Sequence, residues 1–228
     1  PANYQTLCNL ETPTILMRPQ EPNGHLLVHT HGGPEVEFKK DTYHAEIAYY
    51  LSHGYTVICP NYRGSLNNPY PLKYMPDECI SDVYAASLYI KNTLPDIKSV
   101  FLRGGSYGSN INANLLSKVK QGMYKNIFCG AHIVGGLNFP NPDEFPNDIP
   151  VFFAHGGADK ICHVGNFTRF ALQLLYAGHE NIETCLATYG DHHMCLPTYH
   201  GLKDEQVAVA QEETRAYLEA STQFTKQA

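Results

Sequence analysis

A serine surrounded by glycines is the first candidate for chemistry in this chain. Residues 104–108 read Gly-Gly-Ser-Tyr-Gly, with Ser106 at the centre. An apolar run, "SVFLRG" (99–104), precedes it, and a helix-compatible run, "NINANLLSKV" (110–119), follows it. A nucleophile on a sharp strand-to-helix turn needs small neighbours, and the head of the following helix favours developing negative charge. The pattern predicts a nucleophile at Ser106; the alternative is a glycine-rich turn without a chemical role.

A serine hydroxyl needs a base to take its proton, and the base needs a carboxylate to orient it. Asp159 and the pair His192-His193 follow Ser106 along the chain, each after its own apolar run. We expect these groups to project from one edge of a sheet. For Asp159 the alternative is a surface residue that caps the next helix. Either histidine could be the base.

The segment "HTHGGP" (29–34) is a candidate for binding the oxyanion that forms during acyl transfer. Such an anion needs two backbone N–H donors. Tyr107, the residue after the nucleophile, is predicted to supply one. Gly33 is predicted to supply the other, with Gly32 as the rival, because glycines let the backbone approach a substrate closely. We expect His31 to be structural.

A metal site is the competing chemical interpretation. His155, Asp159 and His163 are spaced four residues apart, and zinc accepts histidine and carboxylate ligands. Further candidate ligands are Asp191, His192 and His193. The spacing straddles the end of a predicted strand and a loop, so it does not fix the ring directions. We therefore predict that the protein uses neither a metal nor another cofactor.

The elements that must position these residues alternate between strand and helix. Short apolar runs bounded by turn residues predict strands at 25–30, 55–60, 99–104, 127–135, 149–156 and 182–189, with 13–19 as an extra edge strand. Helical patterns fill 41–53, 77–93, 107–121, 164–178 and 203–220. This alternation predicts an α/β fold, a doubly wound, mostly parallel sheet with helices on both faces. Functional groups in such a sheet gather beyond the carboxyl ends of the strands.

Composition limits the classes of partner and the location. The 228 residues suit a single α/β domain spanning 1–228. No stretch approaches the roughly 18 apolar residues of a membrane helix, and no secretory signal is visible at the N-terminus, so a cytoplasmic location is expected. A formal net charge of −6 argues against nucleic-acid and anionic-membrane partners. The oligomeric state is left open.

The seven cysteines are scattered and contain no C-x-x-C pair, which favours a reducing compartment. Cys162 and Cys195 lie three and two positions from Asp159 and His193. We expect both to be free thiols. The alternative is a disulfide between the acid loop and the base loop.

Taken together, these segments resemble the catalytic α/β-hydrolase domain of the prolyl oligopeptidase family, a group that includes acylaminoacyl peptidases, dipeptidyl peptidases and related small esterases. The matching segments are "HGGP" (31–34), "GYTVICPNYRGS" (54–65), "CISDVYAASLYI" (79–90), "RGGSYGS" (103–109), "IPVFFAHGGADKICHV" (149–164) and "TYGDHHM" (188–194). The resemblance implies the order nucleophile, acid, base, and structural roles for Arg63 and Asp82.

The same resemblance bears on the choice of base. Relatives often carry an acid, a glycine and then the catalytic histidine in the last loop. Laid on Asp191-His192-His193, this pattern makes His193 the base and puts His192 in the place of the glycine. His193 is therefore favoured, with His192 as the alternative base.

Two departures from the family favour an esterase over a peptidase. The match begins near residue 25, so we expect no propeller, and the bare connection after 127–135 leads us to expect no cap. The predicted function is a serine hydrolase that cleaves carboxylic esters or similar acyl substrates through Ser106, Asp159, His193 and an acyl-enzyme. The alternative is a serine peptidase of the prolyl oligopeptidase or acylaminoacyl peptidase type. The expected partner is a small ester or peptide substrate.

Overall fold

The computed structural model describes residues 3–7, 12–33, 36–40, 44–68, 76–192 and 203–227. The strands are β1 Asn3–Leu7, β2 Thr14–Arg18, β3 His25–Thr30, β4 Thr56–Pro60, β5 Ser99–Gly105, β6 Gly130–Val134, β7 Val151–Gly156 and β8 Ile182–Ala187. The helices are α1 Ala45–Ser52, α2 Pro76–Thr93, α3 Tyr107–Lys120, α4 Val164–Tyr176 and α5 Asp204–Gln227, and a 3-10 turn spans Pro142–Glu144.

The strands form one sheet in the order β1-β2-β4-β3-β5-β6-β7-β8. β1 and β2 run antiparallel to their neighbours, and the other pairs are parallel. From β3 the chain goes to β4 on one side and then returns to β5 on the other. The order therefore reverses at β3 and β5, where ligands bind in open α/β sheets. The loops carrying Gly32 and Ser106 leave these two strands side by side.

Helices cover the described sheet on both faces, because its central strands are apolar on alternate sides. Leu26 and Val28 of β3 pack into a core shared with α2, α3 and α4. Leu27, between them, faces the core beneath α1. Phe152 of β7 packs against Tyr217 of α5. Such two-sided burial is what makes parallel strands read as continuous apolar runs.

The predicted α/β fold is confirmed, and one strand assignment is wrong. Thr14–Arg18 lies inside the sheet, between β1 and β4, rather than at its edge. Pro13 and Pro19 flank this strand instead of interrupting it, so its five residues can pair on both sides. The edge strand on this side of the sheet is β1, for which the sequence analysis predicted no strand. No helix among the described residues is long and apolar enough to cross a membrane.

Candidate active site

Ser106 occupies a strained turn between β5 and α3. Its φ of 55° and ψ of −120° make it the one non-glycine residue with positive φ in the described part of the chain. Such a conformation costs on the order of 1–3 kcal/mol and persists only where the surrounding structure enforces it. The Ser106 N–H donates to the Val134 carbonyl at 2.9 Å, which ties the turn to β6.

The glycines on either side of Ser106 are required by close backbone packing. A Cβ at Gly104 would lie 2.4 Å from the carbonyl oxygen of Gly108, and a Cβ at Gly108 would lie 2.1 Å from that of Thr30. No side chain fits at those distances, so the start of α3 rests directly on the ends of β3 and β5. The spacing of the glycines thus reflects how tightly the nucleophile turn is packed.

The Ser109 side chain stabilises the same turn through hydrogen bonds to the backbone, a role that the sequence did not predict. Its hydroxyl lies 2.6 Å from the carbonyl oxygens of both Gly104 and Val134, and it accepts from the Val134 N–H at 2.9 Å. The residue is fully buried. No sequence signal separates such a serine from any other helical serine.

The Asp159 carboxylate is held by its own loop after β7. Oδ1 accepts hydrogen bonds from the N–H groups of Ile161 and Cys162, both at 2.8 Å. Oδ2 lies 2.8 Å from Nδ1 of His192 and 3.5 Å from Nε2 of His155. With its side chain only 1% exposed, the carboxylate is fixed in orientation and aimed at His192.

His192 makes the contact that the sequence favoured for His193. The geometry fits an Nδ1–H group that donates to Asp159, which leaves Nε2 as the proton acceptor. His193 lies outside the described residues. The preference for His193 had rested on laying the family's acid-glycine-histidine pattern on residues 191–193, whereas the contact with the expected acid, Asp159, is made by His192.

Backbone contacts hold the loop that carries His192 against the loop that carries Asp159. The N–H groups of Gly157 and Ala158 donate to the carbonyls of Ala187 and Gly190, at 2.7 and 3.0 Å. A Cβ at Gly156 would lie 2.3 Å from two carbonyl oxygens of the base loop, so only glycine permits this approach.

Helix α5 adds a contact from outside the sheet. Both carboxylate oxygens of Glu213 accept backbone N–H groups of the base loop, from Thr188 at 2.8 Å and Tyr189 at 3.2 Å. Glu213 was missed in the sequence because its partners are backbone groups, which leave no residue pattern.

Cys162 brings a thiol to the same place. Burial raises the pKa of this thiol to about 11, the charge of Asp159 adds to the rise, and a hydrogen bond with the Ser106 hydroxyl opposes it. The donor atoms of Asp159, Cys162 and His192 all lie within 4.8 Å of one another. Cys162 is a free cysteine, and Cys195, its possible partner, lies outside the described residues. The thiol therefore lies beside the Asp159–His192 pair.

The loop after β3 lies beside the nucleophile. A Cβ at Gly32 would be 3.1 Å from the Ser106 Cβ, and the Gly32 carbonyl accepts a hydrogen bond from Nδ1 of His31 at 2.8 Å. Gly33 has a φ of +83°. Because the C=O of Gly32 and the N–H of Gly33 belong to one planar trans peptide, they point in opposite directions. The Gly32 carbonyl points towards the His31 ring, so the Gly33 N–H points away from that ring.

His31 is a structural residue of this loop. Its Nε2 pairs with the Ser65 hydroxyl at 3.0 Å, and its ring stacks on Tyr62 with centroids 4.4 Å apart. Burial lowers its pKa to about 4, and the hydrogen bond to the Gly32 carbonyl offsets part of that effect. A neutral ring that donates from Nδ1 and accepts at Nε2 fits both contacts.

Arg63 and Asp82 have the structural roles that the resemblance implied. The Arg63 guanidinium donates to both oxygens of Asp82, at 2.8–3.1 Å, and its backbone N–H donates to Oδ2 at 2.7 Å. This fork joins the loop after β4 to α2. Neighbouring Tyr62 donates its hydroxyl to the His31 carbonyl at 2.9 Å, so the pairing also supports the glycine loop.

The histidines and acids of the competing metal interpretation do not form a ligand set among the described residues, and His193 lies outside them. Nδ1 of His163 accepts from the Gly165 N–H at 3.0 Å and caps α4. Nε2 of His155 donates to the Cys162 carbonyl at 2.7 Å, and burial lowers the pKa of this imidazole. In the described ranges, the one group of three possible ligands is Asp159, Cys162 and His192.

A groove of about 410 Å³ begins beside Tyr107, the residue after the nucleophile. Ile80 of α2, Ile111 of α3 and Phe139 of the β6–β7 connection supply apolar walls, and Asn110 adds a polar group. The Asn110 amide oxygen also accepts the N–H groups of residues 137 and 138, which fixes the groove's rim. The groove can take a small group attached to a carbonyl carbon.

A sequence comparison identifies the family. Residues 25–175 match the alpha/beta hydrolase fold family, which is more than half of the chain. The chain belongs to the alpha/beta hydrolase family. This match covers β3 to α4 and so includes the glycine loop, Ser106 and Asp159.

Several relatives of this alpha/beta hydrolase are peptidases or esterases. It is 32% identical over 98 residues to acylamino-acid-releasing enzyme 1 of Oryza sativa subsp. japonica, a match that covers 40% of the chain and 12% of that enzyme. The acylaminoacyl peptidase of Pyrococcus horikoshii superposes with a TM-score of 0.75 at 14% identity, over 99% of the chain and 41% of the peptidase. The chain therefore spans less than half of each of these two relatives.

A smaller hydrolase matches along nearly its whole length. An esterase of Pyrococcus furiosus superposes with a TM-score of 0.72 at 16% identity, over 99% of the chain and 91% of the esterase. At this identity the likeness concerns the fold. The two folds thus superpose along nearly the whole of both chains.

Proposed function

We propose that this chain is a serine hydrolase that cleaves carboxylic esters or similar acyl substrates. The observation that carries the proposal is the strained Ser106 turn at the head of α3, which is tied to Val134 next to the point where the Asp159–His192 pair approaches Gly135. Strain of this kind at a helix N-terminus is a feature of nucleophile turns, because it exposes the hydroxyl and surrounds it with backbone donors.

His192 is the proposed base. It takes the proton of Ser106 as the serine oxygen attacks the substrate carbonyl, and Asp159 holds its ring in the tautomer that makes Nε2 the acceptor. The 2.8 Å contact between Asp159 and Nδ1 supports His192 over His193 for this role. His192 then gives the proton to the leaving alcohol. Water repeats the sequence on the acyl-enzyme to release the acid.

The backbone N–H groups of Tyr107 and Gly33 are the proposed oxyanion donors. Tyr107 is the first residue of α3, and the N–H groups of a first helical turn point out of the helix towards its N-terminal end, where Ser106 lies. Gly33 is favoured over Gly32 because the contact between His31 and the Gly32 carbonyl turns the next N–H in the opposite direction. The groove beside Tyr107 would accommodate one of the two groups attached to the carbonyl.

Covalent labelling tests the nucleophile before any substrate is known. A fluorophosphonate should add to Ser106, and mass mapping of the digested protein should find the adduct on the peptide that contains it. Ser106→Ala should abolish the adduct together with hydrolysis of p-nitrophenyl acetate. Ser52→Ala, at an exposed serine of α1, should retain both. An adduct on another serine, or hydrolysis that survives in Ser106→Ala, would contradict the proposal.

A peptidase is the second candidate, favoured by the matches to acylamino-acid-releasing enzyme 1 and to acylaminoacyl peptidase. Esters have better leaving groups than amides, so a peptidase would cleave both kinds of substrate, whereas an esterase is expected to cleave only the ester. We expect hydrolysis of an acetyl-amino-acid p-nitrophenyl ester and, for the matching p-nitroanilide, no hydrolysis above that of Ser106→Ala. Anilide hydrolysis that depends on Ser106 would favour the peptidase.

A further inference from the structure

The proposed mechanism does not use the Cys162 thiol, although this group lies at the site. It is buried, and its sulfur lies within 4.8 Å of the donor atoms of Asp159 and His192. A carboxylate oxygen, a sulfur and an imidazole nitrogen thus converge on one point. Ester hydrolysis needs only the first and the third.

This donor set has the chemistry of a zinc ligand sphere. Zinc prefers thiolate, imidazole and carboxylate ligands at about 2.0–2.3 Å in a tetrahedron, which puts neighbouring ligand atoms about 3.3–3.8 Å apart. The observed separations of up to 4.8 Å would contract by at most about 1.5 Å, and the 2.8 Å contact between Asp159 Oδ2 and His192 Nδ1 would lengthen if both of these atoms bind the ion. A sulfur ligand selects zinc and similar cations over magnesium and calcium, which take oxygen ligands.

The two residues of the acid loop are already fixed in place. The Cys162 N–H donates to Asp159 Oδ1, and its carbonyl accepts from Nε2 of His155. These contacts fix the Cys162 backbone and the Asp159 carboxylate. Binding of an ion would therefore restrict little besides the orientation of the His192 ring. Two negative ligands, carboxylate and thiolate, would balance the two positive charges of the ion.

We propose that Asp159, Cys162 and His192 form an inhibitory site for Zn²⁺. Binding forms a zinc–thiolate bond and releases the thiol proton to solvent, and no electron is transferred. If His192 binds through Nε2, its acceptor is blocked directly. If it binds through Nδ1, its proton moves to Nε2, which can then no longer take the proton of Ser106. The inhibition rests on the proposed hydrolase function, whereas the binding of the ion does not.

Cobalt makes the binding visible without any activity measurement. Titration of the protein with Co²⁺ should produce thiolate-to-cobalt charge-transfer absorption, and Zn²⁺ should remove it by competition. Cys162→Val, which keeps a small apolar side chain, should lack this band, and Cys162→Ser is a second variant should the first fail to fold. Cys185→Ala, at a free thiol on β8, and Ser106→Ala should both keep the band.

The activity arm tests the consequence. In buffered Zn²⁺ we expect ester hydrolysis by the unmodified protein and by Cys185→Ala to be inhibited. For a folded Cys162 variant, with inhibition measured against that variant's own rate without Zn²⁺, we expect an inhibition constant at least tenfold higher than that of the unmodified protein. Absence of the cobalt band, or a band that persists without Cys162, overturns the zinc site. A Cys162-dependent band in a protein that hydrolyses no ester supports the zinc site and instead counts against the proposed function.

Discussion

Two buried carboxylates in the described part of the chain, Glu46 and Asp159, lie beside histidines, and they differ in what else touches them. Glu46 lies 3.9 Å from Nε2 of His29, but it also accepts from the Arg103 guanidinium at 2.7 and 2.8 Å and from the Tyr217 hydroxyl at 2.9 Å. Arg103 is permanently charged, so the Glu46 carboxylate always has a cation beside it. Burial, aided by the charge of Arg103, keeps the pKa of His29 well below its usual value.

Asp159 receives no such cation. In the described segments its partners are two backbone N–H groups and the rings of His192 and His155, and no lysine or arginine pairs with it. Its negative charge thus remains available to stabilise an imidazolium that forms during proton transfer. The comparison indicates that a buried carboxylate can assist proton transfer by a histidine under two conditions. No lysine or arginine neutralises the carboxylate, and the pair lies at the carboxyl edge of the sheet.

Removing the charge of Asp159 should have the largest effect. Asp159→Asn keeps the shape of the side chain but loses the negative charge and the preference for the correct tautomer. We expect kcat for p-nitrophenyl acetate to fall by about 10³–10⁴. Asp148→Asn, at an exposed acid before β7, is the matched control and should retain the rate. An Asp159→Asn variant within tenfold of the unmodified protein would remove this residue from the mechanism.

Removing the charge of Glu46 should affect stability instead. Glu46→Gln leaves the buried Arg103 without its counter-charge, and breaking a pair of this kind costs roughly 3–5 kcal/mol of unfolding free energy. Urea unfolding followed by circular dichroism measures this loss. Glu212→Gln, which breaks the exposed pair with Arg215, should leave the midpoint unchanged. The comparison fails if Glu46→Gln is as stable as the control.

Acid should lower the stability of the fold through the buried histidines near Arg103. Burial, followed by the charge of Arg103, lowers the pKa of His132 from 6.5 to about 3, and His29 is shifted in the same direction. Below pH 6.5 the unfolded chain therefore binds protons that the folded protein excludes. Stability is fully present above pH 6.5 and declines as the pH falls from there towards 3.

For His132 alone, the loss between pH 6.5 and 5 is about 2 kcal/mol. The urea midpoint should accordingly decrease over this interval. His132→Gln should make the decrease shallower, whereas His53→Gln, at an exposed histidine, should not. Equal pH dependence in both variants would mean that His132 is not excluded from protonation as the structure indicates.

The sequence predicted the features that depend on local pattern. The Gly104–Gly108 spacing predicted a sharp turn, and the clash avoided at Gly104 is local, with the Gly108 carbonyl, whereas the clash avoided at Gly108 is with the Thr30 carbonyl of β3. The alternation of short apolar runs with helical patterns predicted the parallel strands, because each run is the buried strand of one strand–helix unit. The sequence did not predict the Glu46–Arg103 pair, since 57 residues separate its members. The choice between His192 and His193 depends on the path of one loop, which adjacent identical residues cannot reveal.

The paired variants His192→Ala and His193→Ala test the central claim most directly. The measurement is kcat/KM for p-nitrophenyl acetate, with folding of both proteins verified by circular dichroism. Because His192 contacts Asp159, we predict a loss of at least about 10³-fold in His192→Ala and less than tenfold in His193→Ala. The reverse order would contradict the account and would make His193 the base.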